Sequence, residues 1–229
     1  MKPAMISVIM PVLNEAKDLR ISLELLHLSN NEELIIVDGG SSDDTMAIAA
    51  EFTDKVFQTK TGRASVMNHG AEMAAGELLL FLHADCILPE NGFRIIRETL
   101  NDSGIAAGGF RLSINDPGLR FRVIETAANL RSRIAELLYG DQGIFVKKET
   151  FNKVGGYANI PLMEDIEISG KLKRTGRLAL TGPPIKVSPR RWLNEGAIHT
   201  TFRDWSIAFS YSFLNIPPDK LIKYYRDVR

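Results

Sequence analysis

The segment LLLFLHAD, residues 78–85, runs five apolar residues into a histidine, an alanine and a carboxylate. A carboxylate just past so apolar a strand calls for a partner, because an unpaired charge beside a core is costly. A divalent cation suits it, since Mg2+ typically takes one or two carboxylates together with substrate phosphates. His83 precedes Asp85 by two residues and shares its side of an extended chain. It could contact a ribose, or the metal itself were the ion Mn2+. Capping of the next helix is the plainer role for Asp85, but Cys86–Pro89 hold that helical stretch away from it.

A second carboxylate, Asp38, ends LIIVD and opens GGSSDDT. There it could accept hydrogen bonds from a nucleobase N–H or a ribose hydroxyl, while Gly39 and Gly40 allow a sharp turn under a flat ligand. Ser41, Ser42 and Asp43 then open a helix, which is also the pattern of an ordinary strand–turn–helix with a good N-cap. LMEDIEIS sets Glu164, Asp165 and Glu167 around another helix start. Acids there suit the helix dipole, yet three exceed what a cap needs, and adjacent carboxylates can divide roles, one serving as general base. SPRRW contributes Arg190 and Arg191, whose guanidinium forks match phosphate, and Trp192, a flat apolar face. Arg63 and Asn68 in TGRASVMNHG lie near a helix start, where phosphate or ribose binds readily. His199 could approach a metal or diphosphate, although a surface or capping position is the commoner fate of such a histidine.

These residues need a scaffold that gathers them. Ile6 to Met10 reads as a buried strand stopped by Pro11, and Leu34–Val37, Lys55–Gln58 and Leu78–Leu82 read as further strands. Asp18–Leu28, TMAIAAEF after Asp43 or Asp44, Ala64–Ala75 and Asn91–Leu100 carry apolar residues at helical spacing. This alternation predicts an α/β fold, a mainly parallel central sheet with helices on both faces. Ligands of such sheets bind beyond the carboxyl ends of the strands, so Pro11–Glu15, Asp38–Asp44 and His83–Cys86 should meet along one edge. The second half is less regular. Strands are expected over Gly108–Ile114 and Gln142–Val146, with two short ones, Leu178–Thr181 and Ile185–Val187, about a Gly-Pro-Pro turn. Helices are expected over Gly118–Leu138, Ile166–Lys173, Phe202–Leu214 and Asp219–Arg226. The division is one domain over 1–200 with a helical C-terminal extension of that domain over 201–229.

The 229 residues carry 28 basic and 28 acidic side chains, so no bulk field draws nucleic acid and any anion must be held locally. A lone cysteine, Cys86, excludes an intrachain disulfide and a cysteine-rich zinc site, and fits a reducing, cytoplasmic compartment. No stretch reaches the ~18 uninterrupted apolar residues of a spanning helix, and the N-terminal stretch lacks signal-peptide features. No G-x-G-x-x-G follows any strand, so a dinucleotide fingerprint is missing. Aromatic-rich Phe202–Leu214 and basic KLIKYYRDVR admit three readings: a helix packed on the domain, a homodimer contact, or peripheral contact at the inner face of a membrane.

Taken in order, PVLNE (11–15), VDGGSSDDT (37–45), GRASVMNHG (62–70), HAD (83–85), ED (164–165) and RRW (190–192) resemble the family 2 glycosyltransferases of the GT-A fold. More narrowly, the chain is similar to the radical-SAM/selenodomain-associated transferase 2 branch, which shares S-x-R-R-W and a short helical tail. The resemblance implies an inverting, non-processive transfer of a sugar from a nucleotide-diphosphate donor, UDP favoured, to a hydroxyl acceptor that a lipid could carry. It implies that Pro11, Val12, Asn14, Glu15, Asp38, Gly39, Asp43, Arg63, Asn68, His83 and Ala84 surround the nucleotide. Asp85 would bind Mn2+ or Mg2+, and Asp165 would be the base. Glu164, Arg190, Arg191, Trp192 and His199 would border the diphosphate and acceptor. Two positions depart from the family pattern. His83 replaces the first acid of the usual D-x-D, which puts ribose contact and metal preference in doubt. Ser188 replaces the glutamine of Q-x-x-R-W, which disfavours a processive synthase. Two other readings compete: a sugar nucleotidyltransferase, whose glycine-rich G-x-G-T-R loop is replaced here by PVLNE, and a non-catalytic nucleotide-sugar binding protein.

Overall fold

Ile6, Val8 and Met10 fill one face of the first strand and Ser7 and Ile9 the other, all fully buried. A strand covered on both faces belongs at the middle of a layered α/β sheet. The computed structural model describes residues 3–59 and 62–225. Its first half contains β1 (Ile6–Val12), β2 (Glu32–Asp38), β3 (Val56–Gln58) and β4 (Leu78–Phe81), all parallel. The second half adds β5 (Cys86–Ile87), β6 (Ile105–Ile114), β7 (Ile144–Lys147) and β8 (Arg177–Val187). Among the described residues these form one eight-stranded sheet in the order β3-β2-β1-β4-β7-β6-β8-β5. β7 runs antiparallel to both β4 and β6, and β5 antiparallel to β8. The sheet is therefore parallel in its nucleus and mixed toward the far edge.

Helices cover both faces. On the side of Ile6, Val8 and Met10 lie α1 (Ala16–Glu24), α2 (Thr45–Phe52) and α4 (Gly92–Asn101), which contribute Leu19, Leu23, Ala49, Ile96 and Leu100. On the side of Ile9 lie α3 (Arg63–Met73), α6 (Lys148–Lys153) and α7 (Glu164–Lys173), which contribute Val66, Met67, Phe151, Ile168 and Leu172. Each such buried aliphatic contributes about 2 kcal/mol of apolar transfer. α5 (Leu119–Ala135), α8 (Arg190–Glu195), α9 (Ala197–Leu214) and α10 (Pro218–Leu221) gather around the far end.

Several expected boundaries differ. Pro11 does not stop β1, which continues to Val12 with Pro11 opposite Val37. The pairing of β1 with β4 ends at Ile9 opposite Phe81, so Pro11 lies past that ladder, where a missing N–H costs nothing. The two short strands expected around Gly182 are one strand, β8, which follows β6 through a register shift between Phe110 and Leu112. The helix expected from Phe202 starts at Ala197, because Gly196, with φ +88°, makes the turn from α8. The last helical stretch is split between α10 and a 3-10 turn, Ile222–Tyr224. Arg226 and the rest of the basic tail lie outside the described residues.

Candidate active site

The carboxyl ends of β1, β2 and β4 do converge. A cavity of about 490 Å3 opens there, lined by Pro11, Val12, Glu15 and Gly39 on one side and by His83, Ala84 and Asp85 on another. Arg63, Glu164 and Asp165 line it from the helix starts, and Arg190, Arg191 and Trp192 from α8.

Loop hydrogen bonds fix the wall built by the ends of β1 and β2. The Asn14 N–H donates to Ser41 Oγ, the Ser42 N–H to Asn14 Oδ1 (2.8 Å), and the Glu15 N–H to Thr45 Oγ1 (2.8 Å). Asp43 accepts from the Ala16 and Thr45 N–H groups. The loops after β1 and β2 are thus stapled together. Asn14 and Asp43 serve as staples and do not line the cavity. Asp38 also departs from its expected place. It is fully buried, and its oxygens accept from Gly40 N–H, Ser41 N–H, Ser41 Oγ and Gln58 Nε2. Its lone pairs are engaged by its own turn and by Gln58, and Gly39 rather than Asp38 lines the cavity. The turn needs glycine at 40, where φ is +105°, and not at 39. Asn68 is likewise structural. Its amide exchanges two hydrogen bonds with the Tyr157 backbone, at 2.8 and 2.9 Å, tying α3 to the Gly155-Gly156 turn. His199 is exposed on α9 and does not line the cavity.

Three carboxyls in the cavity are shifted upward by burial. Asp85 is raised by desolvation, against the pull of Arg190. Glu164 is raised by burial with Arg63 opposing from 3.4 Å. Asp141, in the middle of a 3-10 turn (Gly140–Gln142), is pushed up to about 6 by burial. Arg131 and Arg191 oppose that shift, and Asp165 and Asp85 add to it. Asp165 is oriented by two backbone donors, Gly140 N–H at 2.9 Å and Ile166 N–H at 2.8 Å. Gly140 also lies close against His83: a Cβ there would stand 2.9 Å from His83 Cε1.

His83, Asp85 and Cys86 present donor atoms within 4.8 Å of one another. The Cys86 thiol is buried, pushed well above its ordinary pKa by desolvation, and aimed at Asp85 Oδ1 at 3.5 Å. Mg2+ and Mn2+ favour oxygen and imidazole donors over sulfur, so the carboxylate and the imidazole are the ligands that suit such an ion. That donor set, beside further carboxyls strained by burial, fits a divalent ion that also binds diphosphate oxygens.

Guanidiniums balance the acids. Arg190 bridges Glu15 (2.8 Å) and Asp18 (2.9 Å), locking α8 onto the end of β1. Arg191 pairs with Asp204 of α9 and donates to the Tyr225 hydroxyl at 3.1 Å. The Trp192 indole N–H donates to Thr201 Oγ1 at 3.1 Å. Sequence reading missed Arg131, whose guanidinium lies 3.8 Å from the Tyr139 ring centre and 5.0 Å from that of Trp205. Its buried Nε has no hydrogen-bond partner among the described residues. The four arginines reported by RFRVIETAANLRSR gave no cue, because only the fold shows which one turns inward. Asp141 was missed too, although it follows Gly140 in the dipeptide GD after a helix, a weak local signal.

Known proteins resemble this chain in sequence and fold. A family model described as "Glycosyl transferase family 2" matches residues 7–159, about two thirds of the chain, and the chain belongs to that family. A PGL/p-HBAD biosynthesis glycosyltransferase of Mycobacterium bovis is 37% identical over 99 residues, covering 39% of each chain. Glycosyltransferase AglE of Haloferax volcanii is 24% identical over 174 residues, 67% of this chain and 56% of that one. The chain thus spans between two fifths and three fifths of these relatives' lengths. Among solved structures, the Pyrobaculum calidifontis mannosyltransferase PcManGT, in complex with GDP-Man and Mn2+, superposes with a TM-score of 0.66 at 18% identity. It covers all of this chain and 67% of its own. S. aureus TarS 1-349 in complex with UDP-GlcNAc gives 0.64 at 16% identity, with 96% and 70% covered. The shared fold is that of GT-A glycosyltransferases. Among the described residues no helix is long and apolar enough to cross a membrane.

Proposed function

We propose that the chain is an inverting, divalent-metal-dependent, non-processive glycosyltransferase that moves a sugar from a nucleotide-diphosphate donor, with UDP favoured, to a hydroxyl acceptor. The observation that carries this is the presence of Asp85 and Asp165 in the lining of one cavity. Asp85, with His83 beside it, would hold Mn2+ or Mg2+, which when bound supplies Lewis-acid stabilisation of charge on the departing diphosphate. Pro11, Val12, Glu15 and Gly39 form the wall against which a base and ribose would lie. Arg63 and Arg190, which line the cavity, would supply cations to the phosphate oxygens.

Asp165 is the base. Two backbone N–H groups hold its carboxylate, leaving lone pairs for an acceptor hydroxyl. The acceptor oxygen forms its bond to the anomeric carbon as Asp165 takes its proton. The bond from that carbon to the diphosphate oxygen breaks, and the nucleoside diphosphate leaves with the electron pair. A single displacement inverts the anomeric centre. Arg191, Trp192, Arg131 and Asp141 border the acceptor side. The narrower kinship with the radical-SAM/selenodomain-associated branch rests on SPRRW and the short helical tail.

The test is NMR of a panel of UDP-, GDP- and dTDP-sugars incubated with enzyme and Mn2+, with methanol as a surrogate acceptor. The expected product is a methyl glycoside of inverted configuration from one donor. A retained configuration, or sugar 1-phosphate in place of a glycoside, overturns the reading.

A further inference from the structure

α5 presents apolar side chains on two opposite faces. Phe121 and Ala128 look inward, whereas Leu119, Val123, Leu130 and Ile134 are 54 to 80% exposed. At 3.6 residues per turn those four fall within about 60° of arc, so they make one stripe. α9 repeats the arrangement. Ile198, Phe202, Phe209 and Phe213 are 54 to 84% exposed and fall within a similar arc of about 60°. The Phe209 and Phe213 rings stack in the open, 4.9 Å apart.

The two stripes flank the cavity. Ile124 and Arg131 of α5 and Trp205 and Ala208 of α9 line it, and Arg131 reaches Trp205 across the gap between the helices. On each helix the exposed stripe borders these lining residues. Beside α9 lies a second hollow of about 480 Å3, in which Phe202, Ile207, Ile216 and Leu221 are joined by Lys220 and Lys223.

Charge identifies the occupant. In a chain with equal numbers of acids and bases, the exposed charge on α5 is basic. Between residues 117 and 135 the one acid, Glu125, is buried, bonded to Ser113 and Ile114 and paired with Arg122 at 2.9 Å, which leaves Arg120, Arg131 and Arg133. Between residues 196 and 218 the one acid, Asp204, is bound to Arg191 and to the one base, Arg203, so the α9 stripe is uncharged. Arg120 and Arg133 stand exposed on either side of the α5 stripe. An apolar stripe between cations suits an interface of acyl chains and anionic headgroups. A second copy meeting the same patch about a two-fold axis would oppose like charges.

We infer that the α5 and α9 stripes dock the protein on an anionic bilayer, with the mouth of the cavity against the headgroups. The inference stands on this surface and does not require the transfer reaction proposed above. It is tested by floating the full chain with phosphatidylglycerol-rich vesicles and with phosphatidylcholine vesicles. Leu130→Ser/Ile134→Ser, Phe209→Ser/Phe213→Ser and Arg120→Ala/Arg133→Ala are run beside the parent, with circular dichroism and melting curves showing that each is folded. The parent is expected to float with the anionic vesicles at low salt and to be released by high salt. Each folded double variant is expected to bind about tenfold more weakly or worse, since one basic residue near such a surface is worth roughly fivefold. Absence of flotation with anionic vesicles overturns the proposal. So does equal binding to both vesicle types, or undiminished binding by the folded variants. A parent dimer that Phe209→Ser/Phe213→Ser turns into monomers assigns the face to a second copy and also overturns it.

Discussion

The cavity has two walls built on different principles. The nucleotide-side wall comes from residues 6–101, and each of its polar groups sits one to five residues past a strand of the parallel nucleus, held by staples between neighbouring loops. The opposite wall comes from residues 105–225, and its groups sit on helices and a 3-10 turn that meet only through tertiary packing. Arg190 joins the walls by pairing with Glu15, 175 residues away in sequence. Parallel strands dictate where a ligand must lie. Helices around the rim leave the far side free to vary, and there the acceptor would be chosen.

If that contrast is right, substitutions on the two walls separate by what they change. The largest effect belongs to Asp165→Asn, which is expected to lower transfer turnover by roughly 10² to 10⁴-fold and to leave donor affinity within about twofold. Steady-state kinetics beside calorimetric binding would show the split. Arg190→Ala breaks the joint. With Glu15 and Asp18 left facing each other without their cation, it should weaken donor binding about tenfold and cost about 3 kcal/mol of stability in denaturant unfolding. Preserved stability would mean the walls do not depend on that pair.

The nucleotide-side wall was the legible one. PVLNE, VDGGSS and HAD are short motifs whose placement follows from ending an apolar strand, so local sequence was enough to bring them to one edge. It was not enough to orient them. Asp38 and Asn14 have the right chemistry to touch a ligand, but their own loops engage them first, since turn N–H groups need acceptors in any state of the protein. Asn68 binds a turn 89 residues later, which no local pattern could reveal. On the far wall, ED and RRW were visible as motifs, whereas Arg131 and Asp141 depend on how α5 and the 3-10 turn roll toward the cavity. Four arginines on α5 look alike in sequence, and packing alone selects one.

Two smaller effects sharpen the division. Asn68→Ala should remove about 2 kcal/mol of stability by orphaning the Tyr157 backbone groups, with turnover and donor affinity unchanged at a temperature where the variant is folded. A loss of donor affinity would return Asn68 to the ligand. Asp141 supplies the smallest. Its folded pKa of about 6 lies above the ~3.9 of an unfolded aspartate, so the fold disfavours its ionised form. Stability is lost as pH rises from about 4 to about 6, and the penalty is complete above that. Asp141→Asn should therefore raise the Tm of the metal-free protein by roughly 3 °C at pH 7 and leave it unchanged near pH 4. A gain independent of pH would remove the titration as its cause.

The most direct test of the two-wall account is a calorimetric titration of the parent, Asp85→Ala and Asp165→Asn with UDP, GDP, dTDP and CMP, each with and without Mn2+. The account predicts Mn2+-dependent binding of one nucleoside diphosphate that Asp85→Ala abolishes and Asp165→Asn retains. Binding that ignores Mn2+ and survives in Asp85→Ala, or no binding by the folded parent to any of the four, would contradict it.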